Sequence, residues 1–165
     1  MSVKRIPIPK PQGHCCFACG TANPIGLNLQ FYLEEGMVCA DITLGRHYEG
    51  WENIAHGGIL STILDEVMSW TIIVLKRVFF VTRKMEVRYV KPVPIGTPLR
   101  VRGRLLDDSR PPRIRAGAEI ADGEGTVMAR ASGEFVVLPE ERLSMVPNGL
   151  KKDMKELFEE IKAIY

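Results

Sequence analysis

Ile59, Leu60, Ile63, Leu64, Val67 and Met68 follow one another at steps of three and four, which lays a single apolar stripe along a helix. Upstream, "LNLQFYLEEGMVCADITL" alternates apolar and polar positions on both sides of Glu35-Gly36, the pattern of a hairpin. Downstream come four extended runs, "VFFVTRKMEVRYV", "LRVRGRLLD", "RIRAGAEIAD" and "TVMARASGEFVVL". Turn-forming "KPVPIGTP", "DSRPP" and "DGEG" separate them. The order is strand, strand, long helix, then four strands, which is not the alternation of a doubly wound sheet and reads as α+β.

The ends differ from this core. Residues 1–13 carry three prolines and little periodicity, so they read as a loose arm. The tail, "GLKKDMKELFEEIKAIY", places Leu150, Met154, Leu157, Phe158, Ile161 and Ile164 on one face of a further amphipathic helix. Its apolar face is expected to pack on the domain or on a neighbour. The divisions are therefore an arm over 1–13, a core domain over 14–140 and a helical tail over 141–165.

Charge and composition narrow the class. Lys and Arg number 22 and Asp and Glu 20, so the formal charge is 22 − 20 = +2. That balance argues for neither a nucleic-acid partner nor a membrane surface. The basic N-terminus has no apolar segment of the secretory kind, and "WTIIVL" is too short a run to suggest a membrane span. A cytoplasmic location with reduced thiols is the expectation.

The chemistry concentrates in "IAHGGILSTILDEVMSW", residues 54–70. Glycine costs about 1 kcal/mol against Ala inside a helix, but less at its start, where it lets a ligand approach the backbone. The first turn also carries unpaired N–H groups and the positive end of the helix dipole. This suits an oxygen that becomes an anion during reaction. Tight packing of the turn accounts for the glycines equally well. Asp65 flanks the apolar stripe between Ser61 and Ser69, where a carboxylate is suited to a hydrogen-bonded functional role. Glu66, on the other flank, reads as a solvated charge. Gly57 and Asp65 are eight residues apart, roughly 12 Å along a helix axis. One carbonyl cannot be within about 3 Å of both. If both act, two copies of the chain with antiparallel helices are needed to complete each site.

"AHGGILSTILDEVM", "VTRKMEVRYVKPVPIGTPLRVRGRL" and "GTVMARASGEFVVL" together resemble the hotdog-fold acyl-CoA thioesterases, above all the phenylacetate-degradation (PaaI-like) type with its HGG…D pattern. "CFACGTANPIGLNLQF" is similar to the opening of one branch of that group, so the likeness runs over about residues 16–138. It implies a curved antiparallel sheet wrapped around one long central helix, with the extra C-terminal helix outside the motif. It also implies a homodimer, or a homotetramer as a dimer of dimers, with sites at the dimer interface. The implied reaction is hydrolysis of an acyl-CoA to the free acid and CoA, without metal or organic cofactor.

Residue by residue, the resemblance gives the Gly57 amide the task of polarising the thioester carbonyl, and Gly58 the shaping of the same helix start. Asp65 takes the place of the carboxylate that attacks directly or activates water. Thr82, at the start of the strand after the helix, takes the place of the hydroxyl that orients the water. His56 holds the loop by hydrogen bonds. The side-chain amide that many members carry six positions before the His is replaced here by Gly50, so no such role is carried over to Asn53. Among cations for the CoA phosphates, Arg88, Lys91 and Arg113 are chosen, with Arg83, Lys84 and Arg110 as further candidates.

His14, Cys15, Cys16 and Cys19 make a separate cluster. A closed zinc site generally draws on two separated ligand pairs, and the sequence offers no second CxxC or HxxxH. The expectation is loop thiols rather than a metal site or a redox pair. Two other readings of the whole chain compete with hydrolysis. One is a non-catalytic acyl-CoA binding or sensing module; the other is an acyl-thioester hydratase on the same fold.

Overall fold

The computed structural model describes residues 4–165. Helix α1, Gly57–Lys76, is the centre of the fold and begins two residues before the apolar stripe does. Its residues Leu60, Ile63, Leu64, Val67, Met68, Ile72 and Val74 are buried. The strands are β1 (Ile6–Pro7), β2 (Phe31–Glu34), β3 (Met37–Thr43), β4 (Glu49–Trp51), β5 (Ile54–Ala55), β6 (Phe80–Tyr89), β7 (Pro98–Arg110), β8 (Arg113–Asp122) and β9 (Val127–Val137). Seven of them form one antiparallel sheet in the order β1-β2-β3-β7-β8-β9-β6, while β4 and β5 pair separately. Helix α1 packs against β3 and β6 to β9, so the whole stripe lies against the sheet. Among the described residues, α1 alone passes for a membrane-crossing helix by length and apolarity, and burial in the sheet accounts for that composition.

The β2–β3 hairpin turns at Glu35-Gly36, both at positive φ (52° and 76°), which matches the twist of the strands it joins. Where β7 crosses α1, Gly103 is required. A Cβ there would lie 2.3 Å from Thr71 Oγ1 and 2.9 Å from the Val67 carbonyl.

Two expectations need correction. The arm over 1–13 is not loose where it is described. Ile6–Pro7 extends the sheet beside β2, Ile8 is buried, and Lys10 Nζ donates to the Cys19 and Leu29 carbonyls at 2.8 and 2.7 Å. Its prolines remove few useful donors because an edge strand needs only one side paired. The loop before α1 holds the short pair β4–β5, too brief to show periodicity. The tail starts as a 3-10 turn over Glu140–Met145 before α2, Asn148–Ile164. Helix α2 buries Leu157, Phe158 and Ile161, and Phe158 meets Phe79 edge to face at 5.6 Å. Leu150 and Ile164 stay partly exposed.

Candidate active site

The start of α1 is built by its own cap. His56 is the N-cap, and its Nδ1 accepts from the Gly58 N–H at 2.9 Å, which fixes that ring nitrogen as unprotonated. A Cβ on Gly58 would approach His56 Nδ1 to 3.0 Å, so the glycine makes room for the cap. Gly50 does the same from β4, since a Cβ there would meet His56 Cα at 3.1 Å. Asn53 serves the β4–β5 turn, with φ 60° and its carbonyl accepting from Ile95.

The Gly57 N–H is the first of the helix and donates to no acceptor among the described residues. The Gly57 carbonyl is occupied: Tyr89 Oη donates to it at 2.9 Å and Ser61 Oγ at 3.1 Å. Tyr89 thus braces the first turn, and a Cβ on Gly57 would lie 3.3 Å from its ring. An apolar groove of about 270 Å³ opens here, lined by Gly57, Leu60, Tyr89, Lys91 and Val93 among others. A larger hollow of about 530 Å³ lies elsewhere, around Asp41, Arg100 and Asp122, and touches none of these groups.

Asp65 sits two turns along α1, half-buried, with Thr82 Oγ1 donating to its Oδ1 at 3.1 Å. Burial pushes the Asp65 carboxyl above its ordinary value, and the Thr82 hydrogen bond pulls it back down. A bulge in the β6–β9 ladder falls between Thr82 and Lys84, next to this contact. Replacing Thr82 by Val removes the one hydrogen bond that favours the charged form. The Asp65 carboxyl should then titrate at higher pH than in the wild type, which an NMR titration of that carboxyl in the two proteins checks.

The structure brings Asp65 to Thr82 and Gly57 to Tyr89, but these are two separate clusters on one chain. The cations divide likewise. Arg88 and Lys91 lie at the Tyr89 end of β6, with Lys91 on the groove. Arg113 lies at the other end, where β8 reaches Val136, and it faces Glu134 at 3.9 Å. Arg83 holds the same carboxylate at 2.5 Å. Sequence patterning does not single out Tyr89, although it lies within the "VTRKMEVRYVKPVPIGTPLRVRGRL" run of the family likeness. Ile63, at the centre of the stripe, is fully buried and belongs to the core.

Residues 52–110 match the family model of the thioesterase superfamily. No curated protein sequence matches the chain significantly. Among solved structures, a thioesterase superfamily protein is 26% identical over 70% of this chain, with a TM-score of 0.65. The chain spans only 56% of that protein's length. The Escherichia coli PaaI protein, from the phenylacetic acid degradation operon, aligns over 68% of this chain and 81% of its own. Its identity is 15% and its TM-score 0.62. A Streptococcus mutans protein solved with acetyl-CoA aligns over 67% and 89%, with 21% identity and a TM-score of 0.61. At these identities the last two speak for the architecture. With the sheet order, the central helix and the family match in agreement, the chain carries the hotdog fold of the thioesterase superfamily.

Proposed function

We propose that this protein hydrolyses acyl-CoA thioesters to the free acid and CoA, with Asp65 as the catalytic carboxylate and the Gly57 amide as the oxyanion donor. The observation that carries the reading is the pairing of a half-buried carboxylate, oriented by Thr82, with a free N–H at a glycine-lined helix start. Asp65 takes a proton from the water that attacks the thioester carbonyl carbon, or attacks that carbon itself to form an acyl anhydride that water then cleaves to the free acid. The carbonyl oxygen gains charge beside the Gly57 amide, and the CoA sulfur leaves with the electron pair of the broken C–S bond. Bound acetyl-CoA in a structure of the same fold supports the substrate class.

In this reading the site is composite. Strand β6 is the outermost strand of the sheet, with a free edge ten residues long. One end carries Thr82 and so touches Asp65; the other carries Tyr89 and so touches Gly57. An antiparallel pairing of two β6 edges, centred between Met85 and Glu86, sets Thr82 opposite the partner's Tyr89. Each Asp65 then approaches the partner's Gly57, and Arg113 comes toward the partner's Arg88 and Lys91. The cations that one chain separates are collected on one CoA.

Release of free CoA from short, medium, long and aromatic acyl-CoAs tests the activity. Mixing two inactive variants, Asp65→Asn and Gly57→Val, tests the composite site. Random pairing should restore roughly a quarter of the sites if each is shared between copies. No restoration would sink the shared site while leaving the activity itself standing. Binding of CoA thioesters without turnover would favour the sensing module.

A further inference from the structure

The cysteine cluster acquires its missing ligand from the central helix. Cys16 and Cys19 lie on one tight turn, and Glu66 of α1 reaches the same point. Their sulfur and carboxylate oxygen atoms all lie within 4.8 Å of one another. Glu66 is therefore not the solvated charge that its place on the helix suggested. A tetrahedral zinc ion with Zn–S bonds of about 2.3 Å needs ligand atoms roughly 3.5–3.8 Å apart, which small side-chain adjustments here supply.

We propose that Cys16, Cys19 and Glu66 form a binding site for one zinc-class divalent cation, with solvent in the fourth position. Two thiolates select a borderline-soft ion over calcium or magnesium. The turn around them is tight: the Gly20 N–H donates to the Cys16 carbonyl at 2.9 Å, and Gly20 has no room for a side chain. A Cβ there would lie 2.5 Å from the Cys16 backbone and from the His14 carbonyl.

The surrounding groups also fit. Trp70 Nε1–H donates to Glu66 Oε1 at 3.0 Å, the kind of outer contact that orients a ligating carboxylate. Lys10, whose Nζ sits 2.8 Å from the Cys19 carbonyl, offsets the third negative charge. Cys16 is exposed, which opens the fourth position to water. His14 is engaged with Asp153 at 3.0 Å and Cys15 is exposed on the same turn; neither is assigned as a ligand. The bound ion would staple the Cys16–Cys19 loop to α1, on the flank opposite Asp65.

The test is a Co(II) titration of the full chain, reduced and stripped with a chelator, followed by displacement with Zn(II). The expected result is saturation at one equivalent, with near-ultraviolet thiolate-to-cobalt absorption that zinc abolishes. Glu66→Gln should weaken binding by about 10- to 100-fold, and Cys16→Ser should remove the absorption, while Cys15→Ser leaves both unchanged. The wild-type titration decides even if a variant fails to fold. No thiolate-to-cobalt band in the reduced wild type overturns the site. So does uptake that Cys16→Ser leaves intact. A Cys16–Cys19 disulfide forming in glutathione buffer, with no metal bound by the reduced chain, would overturn it in favour of a redox pair.

Discussion

Asp65→Asn should lower kcat/KM for the best acyl-CoA by between about 100- and 10,000-fold, the range spanned by loss of a positioned acid or base. Asparagine keeps the shape and can still accept from Thr82 Oγ1, so the first turn of α1 and the Gly57 amide stay where they are. Binding of CoA thioesters should therefore persist, and the loss should fall mainly on kcat. Stability should move the other way. Burial raises the folded-state pKa of Asp65 above its unfolded value. Such a group contributes most below its unfolded pKa and loses that contribution as pH rises through its folded pKa. At neutral pH the charged carboxylate is thus a net cost, and the Asn variant should melt no lower than wild type at pH 7. Turnover retained by Asp65→Asn would remove the carboxylate from the mechanism.

Phe135→Ala should destabilise the fold by about 3–5 kcal/mol, the range for emptying a large buried aromatic site. Phe135 is fully buried on β9, packs edge to face on Phe80 at 5.5 Å, and closes over the space that Gly133 leaves. It is also the ladder partner of Thr82. The cavity therefore opens under the strand that orients Asp65, and activity should fall by more than the folded fraction explains. Thermal unfolding should show a drop of roughly 10 °C, with Phe135→Leu costing markedly less. Equal losses for Leu and Ala would show that the site relaxes without a cavity and that packing there does not govern the strand.

The hollow around Asp41 and Arg100 shows why size alone is a poor guide to a site in this fold. Its walls are largely charged: Asp41 and Arg100, paired at 3.2 Å, stand there with Arg102, Glu119 and Asp122. The smaller groove at Gly57 has the apolar walls and the free amide that an acyl thioester needs.

The sequence by itself determined the central helix, the hairpin at Glu35-Gly36 and the four long strands that follow. Each buries one face, so its period of 3.6 or 2 is written into consecutive residues. It also determined the His56-Gly57-Gly58 start, because a cap and its glycines are local to one turn. Only the tertiary structure decided what depends on residues far apart in the chain. Two-residue strands such as Ile6–Pro7 have no period to read. Thr82 meets Asp65 because β6 returns along α1 beside a bulge, and Tyr89 reaches Gly57 from the far end of that strand. Glu66 carries the same charge on paper as any solvated helix residue. The loop over Cys16 to Cys19 folds onto its flank of α1, and that approach, set by packing rather than pattern, turns it from a surface charge into a third ligand.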